Sequence, residues 1–308
     1  MTDDKKRLII IDSHSLIHRA FHALPPLATK NGEEMGAVYG FLLVFFRVLK
    51  DFKPDFVVAT FDLPALTFRH KKFKLYKAKR PKMAPELSQQ IPKVKEILRS
   101  FNVPIFEKEG FEADDLIGAI SKLAPRKQAF PKIEIIILSS DFDVLQLVNS
   151  QTKVFSLRRG VKDAVLYDEN LVKEKYKGLN PNQLVDYKAL RGDPSDNIPG
   201  VRGIGEKTAI QLIGSFGSLE NLYQELEEKT EEASKIKPRI KEALIKHKED
   251  AFISKELVQI NYDLPLDFNL EECQFEEYDK EKVIETFKRF EFYSLLEKIP
   301  EPRNLNKS

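Results

Sequence analysis

Four aspartates in this sequence follow short apolar runs: Asp12 after RLIII, Asp62 after VVATF, and Asp141 and Asp143 just past IEIIIL. Two compact stretches add five more acids. GFEADD (110–115) holds Glu112, Asp114 and Asp115, and GDPSDN (192–197) holds Asp193 and Asp196. Taken singly, each has an ordinary explanation. Acids in a first helical turn cap free N–H groups and offset the helix dipole, and aspartate after a strand is a common turn residue. Gathered at one edge they are harder to explain that way, because carboxylates repel one another strongly where the dielectric is low. A cation must then neutralise them. All-oxygen donors without nearby Cys or His suit Mg²⁺ or Mn²⁺ rather than zinc. Two such ions about 4 Å apart in a carboxylate cluster make a common arrangement for hydrolysing phosphodiesters.

His14, His18 and His22 are spaced i, i+4, i+8 and would share one face of a helix. Zinc would need further ligands there and none is evident, so hydrogen bonding or anion contact is the simpler reading. The segment RHKKFKLYKAKRPK (69–82) carries eight Lys/Arg, no acid, and the interleaved aromatics Phe73 and Tyr76. Basic runs are usually solvated surface. This one follows Asp62 closely, and it suits nucleic acid, with cations for phosphates and rings for bases. GVRGIGEKTA (200–209) is not a Walker A motif, since Glu206 follows Gly205, nor GxGxxG, since Thr208 replaces the last glycine. A glycine turn opening a helix still offers backbone N–H groups to an anion. A tight helix–helix turn is the plainer alternative.

The elements that must position these residues alternate through the first half. Strand candidates are 7–12, 55–62, 103–107, 133–138 and 152–157, with helical patterns such as 37–52 and 113–123 between them. This predicts an α/β fold with a mostly parallel sheet covered on both faces. Strand C-termini of such a sheet face one crevice, where ligands bind. From about Leu179 the pattern becomes helical segments joined by Gly/Pro/Asn turns, and 229–250 reads as a charged, solvated helical surface. A boundary is expected near residue 175.

The 308 residues suffice for about two domains. The single cysteine, Cys273, excludes an intramolecular disulfide and fits a reducing cytosol. No run approaches the ~18 apolar residues of a membrane span, and the start MTDDKKRLIIID lacks a signal-peptide pattern. A cytoplasmic location is expected. The net charge of +2 carries little information; the useful charge is local.

In order along the chain, IIIDSHSLIHRAFHALPPL, GAVYGF, VVATFD, TFRHKKFKLYKAKRP, FEADDLIG, DFDVLQLV and GDPSDNIPGVRGIGEKTA resemble the 5′-nuclease (flap endonuclease) superfamily, most closely the 5′–3′ exonuclease domain of bacterial DNA polymerase I. FEFYSLL (290–296) resembles that domain's end, so the likeness covers nearly the whole chain. It implies a PIN-like α/β nuclease core over 1–175 that includes a basic helical arch at about 69–100. A helical DNA-binding region would follow over 176–308, with a helix–hairpin–helix at about 181–215. It also implies structure-dependent 5′–3′ exonuclease and 5′-flap endonuclease activity on DNA, leaving 5′-phosphate and 3′-hydroxyl ends.

By the same resemblance Asp12, Asp62, Glu112, Asp114, Asp115, Asp141, Asp143, Asp193 and Asp196 bind two Mg²⁺ or Mn²⁺ ions, while Lys77 and Arg80 act at the scissile phosphate. DNA contacts are expected from Arg19, Arg69, Tyr76, Lys77 and Arg80, and from Gly200, Gly203, Gly205, Lys207 and Thr208 of the hairpin, where a K⁺ ion would also sit. A monomer is expected, acting beside a polymerase and a ligase by analogy of pathway. No polymerase sequence follows before Ser308. Two positions depart from the family's usual pattern: Phe142 stands where lysine is usual, and His18 where tyrosine is usual. Neither change removes a metal ligand, but the first removes a positive charge. Two other readings are a non-catalytic binder of branched DNA, weighed against by the intact acid set, and a ribonuclease, weighed against by the helix–hairpin–helix.

Overall fold

The computed structural model describes residues 6–126, 133–157, 163–275 and 277–302. In chain order its elements are β1 (Lys6–Asp12), α1 (Ser13–Ala23), α2 (Gly36–Phe52), β2 (Phe56–Thr60), α3 (Phe68–Lys72), α4 (Pro85–Ser88), α5 (Ile91–Ser100), β3 (Ile105–Phe106), α6 (Ala113–Leu123), β4 (Ile133–Leu138), β5 (Thr152–Leu157) and β6 (Ala164–Tyr167). Then come α7 (Glu169–Lys175), α8 (Leu184–Arg191), α9 (Glu206–Phe216), α10 (Leu219–Glu228), α11 (Glu231–Ser234), α12 (Pro238–Lys246), α13 (Lys248–Val258) and α14 (Lys280–Arg289).

The six strands form one sheet in the order β3-β2-β1-β4-β5-β6. All pairings are parallel except β5 with β6. The sheet is mostly parallel and covered on both faces, as the alternating pattern predicts. Its period of two sorts the apolar runs into two cores. Leu8, Ile10, Val58, Ile135 and Ile137 face α6 and the helices of the second half. Ile9, Ile11, Val57, Ile136 and Leu138 face α1, α2, α5 and α14. Because β1 pairs Ile11 with Ala59 and with Leu138, the C-terminal ends of β1, β2 and β4 open at one edge.

Three local expectations change. A short antiparallel strand, β6, closes the sheet where none was expected. The charged stretch 229–250 is not a continuous solvated surface: α11 and α12 are separate, Pro238 starts the latter, and Ala233 and Leu244 are fully buried. In the expected arch region of about 69–100, α5 packs Val94, Ile97 and Leu98 into the core beside Val283 and Phe287 of α14, leaving α3, a run of turns and α4 before it. Among the described residues no helix is long and apolar enough to cross a membrane.

Candidate metal and nucleic-acid site

At the C-terminal edge of the sheet lies an open cavity of about 1170 Å³. Eight of the nine predicted acids line it: Asp12, Asp62, Glu112, Asp114, Asp141, Asp143, Asp193 and Asp196, with Lys77, Arg80 and Tyr76 beside them. Their surroundings divide seven of them into three groups, with Asp62 apart beside His14.

In the first group, Asp12, Asp114 and Asp141 form no ion pair with a Lys or Arg among the described residues. Asp12 ends β1 and caps α1, where its Oδ1 accepts from the Ser15 N–H at 3.2 Å. Its Oδ2 accepts from the Ser139 hydroxyl at 2.5 Å. Burial, then the charges of Asp141 and Asp62, push the Asp12 carboxyl up to about 7 against the opposing Ser139 bond. Burial and the carboxylates of Asp12, Asp141, Asp143 and Asp62 likewise hold Asp114 well above the usual range. The Asp141 N–H donates to Ser139 Oγ at 2.9 Å. Asp62 is more open and caps α6, its Oδ1 accepting from the Ala113 N–H at 2.8 Å.

The second group is bridged. Lys188, from the last turn of α8, sits 3.0 Å from Asp193 Oδ2 and also binds Asp143 Oδ1. Its pKa is raised, with these two carboxylates outweighing its burial. Asp143 is pushed up to about 6 by burial and by Asp141, with Lys188 opposing. Sequence reading missed Lys188. Its only signal was a basic residue five positions before Asp193, which a helix C-terminus explains equally well.

The third group is paired with the basic segment. Glu112 accepts from Lys77 Nζ at 2.9 Å and the Tyr76 hydroxyl at 3.0 Å. Asp196 takes the Arg80 guanidinium, and the Lys77 N–H donates to the Asp196 backbone carbonyl at 2.8 Å. Asn197 Nδ2 donates to the Leu75 carbonyl at 2.7 Å. The segment 75–80 is thus fastened to the 193–198 turn.

Several predicted residues are placed otherwise. Asp115 is fully buried and outside the cavity. It takes both ends of the Arg69 fork at 2.7 and 2.8 Å, plus the N–H groups of Glu112 and Asn261. With these partners it is a structural ion pair and a capping-box acid of α6 rather than a free metal donor. Arg69, expected on DNA, is 3 % exposed and also holds the carbonyls of Leu257 and Gln259. Tyr76, expected to stack on bases, is 4 % exposed and turned toward Glu112. Arg19 lies half-buried on α1, outside the cavity lining, with Asp163 beside it.

In the hairpin, Gly203, Gly205 and Lys207 are exposed, Thr208 is half-buried, and Gly205 caps α9. Gly200 is buried instead. Its N–H donates to Ser254 Oγ, and a Cβ there would stand 2.3 Å from Gly192 N, so it packs the hairpin rather than presenting a surface. The His14 ring accepts from the Asp62 N–H at Nδ1 (3.1 Å), and burial lowers its pKa. Its ring is thereby used in positioning Asp62, which leaves the three-histidine zinc idea without support.

Past Ser140 the chain turns. Asp143 N–H donates to Asp141 Oδ1 at 2.9 Å, and 143–147 is a 3₁₀ helix. Phe142 is carried to the cavity rim, 36 % exposed.

The donor set fits hard divalent cations in kind and in charge: only oxygens, with Asp12 buried and Asp114 and Asp141 half-buried without a Lys or Arg partner among the described residues. As placed, the acids do not converge. Among the described residues no three His, Cys, Asp or Glu side chains form a group ready to hold a metal ion. Side-chain rotation would be needed to close such a shell.

Residues 7–177 match the model of the 5′-3′ exonuclease N-terminal resolvase-like domain, and 179–281 match that of the 5′-3′ exonuclease C-terminal SAM fold. The chain is 40 % identical to DNA polymerase I of Bacillus caldotenax over 97 % of its own length and 33 % of the relative's. It therefore spans about a third of the polymerases it matches. It is 36 % identical to a 5′-3′ exonuclease of Aquifex aeolicus, covering 96 % of this chain and 95 % of that one. Among solved structures, the fold is shared with T5 5′-exonuclease bound to zinc (TM-score 0.65, 23 % identity, 83 % of this chain and 90 % of that one). It is shared too with the catalytic core of Rad2 in complex with DNA (TM-score 0.62, 18 % identity, 96 % and 93 %). With both family models matched in order along one chain, and a relative matched almost end to end, this protein belongs to the 5′-3′ exonuclease family.

Proposed function

We propose that this chain is a structure-selective 5′–3′ exonuclease and 5′-flap endonuclease on DNA, leaving 5′-phosphate and 3′-hydroxyl products. The observation that carries this reading is the set Asp12, Asp114 and Asp141. These acids share one cavity with Lys77, Arg80 and Lys188 and have no Lys or Arg partner among the described residues. Asp12, Asp62, Asp114 and Asp141, together with Asp143 and Asp193, would hold two Mg²⁺ or Mn²⁺ ions. Bound there, such ions supply an activated water and stabilise charge on the transferring phosphoryl group.

The chain's own residues do the rest. Ser139 and Ser15 fix the Asp12 carboxylate from behind. The Asx turn at Asp141 sets its spacing to Asp143. Lys77 and Arg80 are held at the rim by Glu112 and Asp196, where they can exchange those acids for a phosphate and stabilise its developing charge. The exposed Gly203 and Gly205 of the turn into α9, with Lys207 beside them, offer backbone N–H groups and a charge to duplex phosphates, selecting shape over sequence; a K⁺ ion at that hairpin belongs to the same proposal. In this reading 1–175 is the nuclease core and 176–308 the DNA-binding region. The protein acts as a cytoplasmic monomer alongside a polymerase and a ligase. Incubation with a 5′-flap DNA in Mg²⁺ and in EDTA tests it. Metal-dependent cleavage at the flap junction is expected, and binding without cleavage overturns it.

A further inference from the structure

Lys175 ends α7 on an exposed surface and forms no ion pair with a carboxylate among the described residues. Its ammonium stands 4.1 Å from the centroid of the Phe142 ring and 5.7 Å from that of Tyr176. Both rings line the acidic cavity. Lys77 and Lys188, by contrast, are each ion-paired with cavity carboxylates. Phe142 is itself fixed. The turn between Asp141 and Asp143 sets its backbone, and Tyr167 holds the ring edge-on, with centroids 5.9 Å apart and planes at 84°. The Phe142 ring is 36 % exposed, so part of its surface stays open at the rim. Its arrangement is suited to orienting a cation over its face.

Resting on the nuclease reading above, we infer that Phe142 is a positioning residue: it holds the Lys175 ammonium at the rim of the acidic cavity as a contact for a phosphate of the entering DNA strand. An ammonium that kept its distance from Asp141 and Asp143 retains its charge for the ligand. It also offsets the repulsion that the cavity acids exert on an approaching phosphate.

The test is binding of a fluorescent 5′-flap DNA to the full chain in EDTA, by anisotropy across a range of salt concentrations. One phosphate contact contributes about 0.7–0.9 to the slope of log affinity against log salt. Lys175→Ala is expected to lower the slope by that amount and weaken binding about five-fold at low salt, in line with one surface charge contact. Phe142→Leu, which keeps Lys175 but removes the ring, is expected to move both readouts the same way. Phe142→Tyr is expected to restore them. The double variant is expected to bind no more weakly than Lys175→Ala alone, because the ring acts through the lysine. An unchanged slope in Lys175→Ala, or additive losses in the double variant, overturns the inference while leaving the nuclease reading intact. A wild-type protein without affinity for the flap overturns both. Thermal melts of the surface variants, expected to match wild type, separate a contact loss from misfolding.

Discussion

Lys188 stands 3.0 Å from Asp193 while its ammonium also holds Asp143, so one internal cation is shared by two of the cavity's acids. Asp12, Asp114 and Asp141 have no such partner among the described residues. The cavity is therefore uneven in charge: on one side the acids have a cationic partner within the chain, and on the other they have none among the described residues.

Lys188→Met tests that asymmetry. Removing one partner of a buried ionic group leaves the others uncompensated, so the variant is expected to lose about 1–3 kcal/mol in EDTA. For a chain of this size that is several degrees of melting temperature, at about 2–4 °C per kcal/mol. Added Mg²⁺ is expected to raise the melting temperature of the variant more than that of wild type, since ligand binding to the native state stabilises it. Paired thermal melts with and without Mg²⁺ read this directly. Equal increments in both proteins would mean that Lys188 does not share the cation's place.

Asp141→Asn separates charge from geometry. The amide oxygen can still accept from the Asp143 N–H, so the turn is retained while a cavity-facing charge is lost. Flap cleavage is expected to fall at least about 10²-fold, the scale for removing an electrostatic group from such a site. DNA affinity in EDTA is expected to stay within two-fold or to tighten, as repulsion of phosphates falls. Single-turnover cleavage and anisotropy on the same preparations make the comparison, and normal turnover would remove Asp141 from the metal set.

Much of this arrangement was legible from local pattern. The runs 133–138 and 152–157 and the helix 113–123 appear with the bounds their apolar periodicity suggests, because short buried strands and an amphipathic helix are specified by neighbours in sequence. The gathering of Asp12, Asp62, Asp141 and Asp143 followed from parallel strand ends alone. What local pattern could not show is which acids already have partners. Arg69 meets Asp115 across 46 residues, and Arg80 meets Asp196 across 116. Those pairings are tertiary, and they turn EADD from one cluster into a capping pair and one cavity-facing acid. The placement of Phe142 is likewise not set by local pattern, since an extended strand and an Asx turn both suit SSDFD until Asp141 accepts from Asp143.

Neighbouring aspartates in α6 are expected to diverge under the same substitution. Asp115→Asn unbalances the buried Arg69 and should cost about 3–5 kcal/mol, the range for breaking a buried ion pair. Asp114→Asn relieves repulsion from four carboxylates and should leave the metal-free protein as stable as wild type or more so, while abolishing flap cleavage. Chemical denaturation in EDTA, with cleavage measured beside it, distinguishes the two; matching stability losses would show that both are structural.

The metal-free protein is expected to lose stability as pH rises through neutrality. Asp12 is pushed up to about 7 and Asp143 to about 6, so between the ordinary carboxylate range and those values the folded state holds protons that the unfolded state has released. The stabilisation is complete at low pH and is lost as pH climbs through the folded pKa, at up to about 1.4 kcal/mol per pH unit for each group. Glu134 runs in the opposite direction at lower pH. Lys153 and Arg7 draw its carboxyl down to about 2 against burial, so its contribution is present above the unfolded value and fades as pH falls toward 2. Denaturation midpoints in EDTA should therefore decline from pH 5 to 7.5. Saturating Mg²⁺ should flatten that decline, because a bound cation replaces the protons, and Asp12→Asn should flatten it without metal. A midpoint that rises over pH 5 to 7.5 in EDTA would show that these acids are charged and satisfied without a cation.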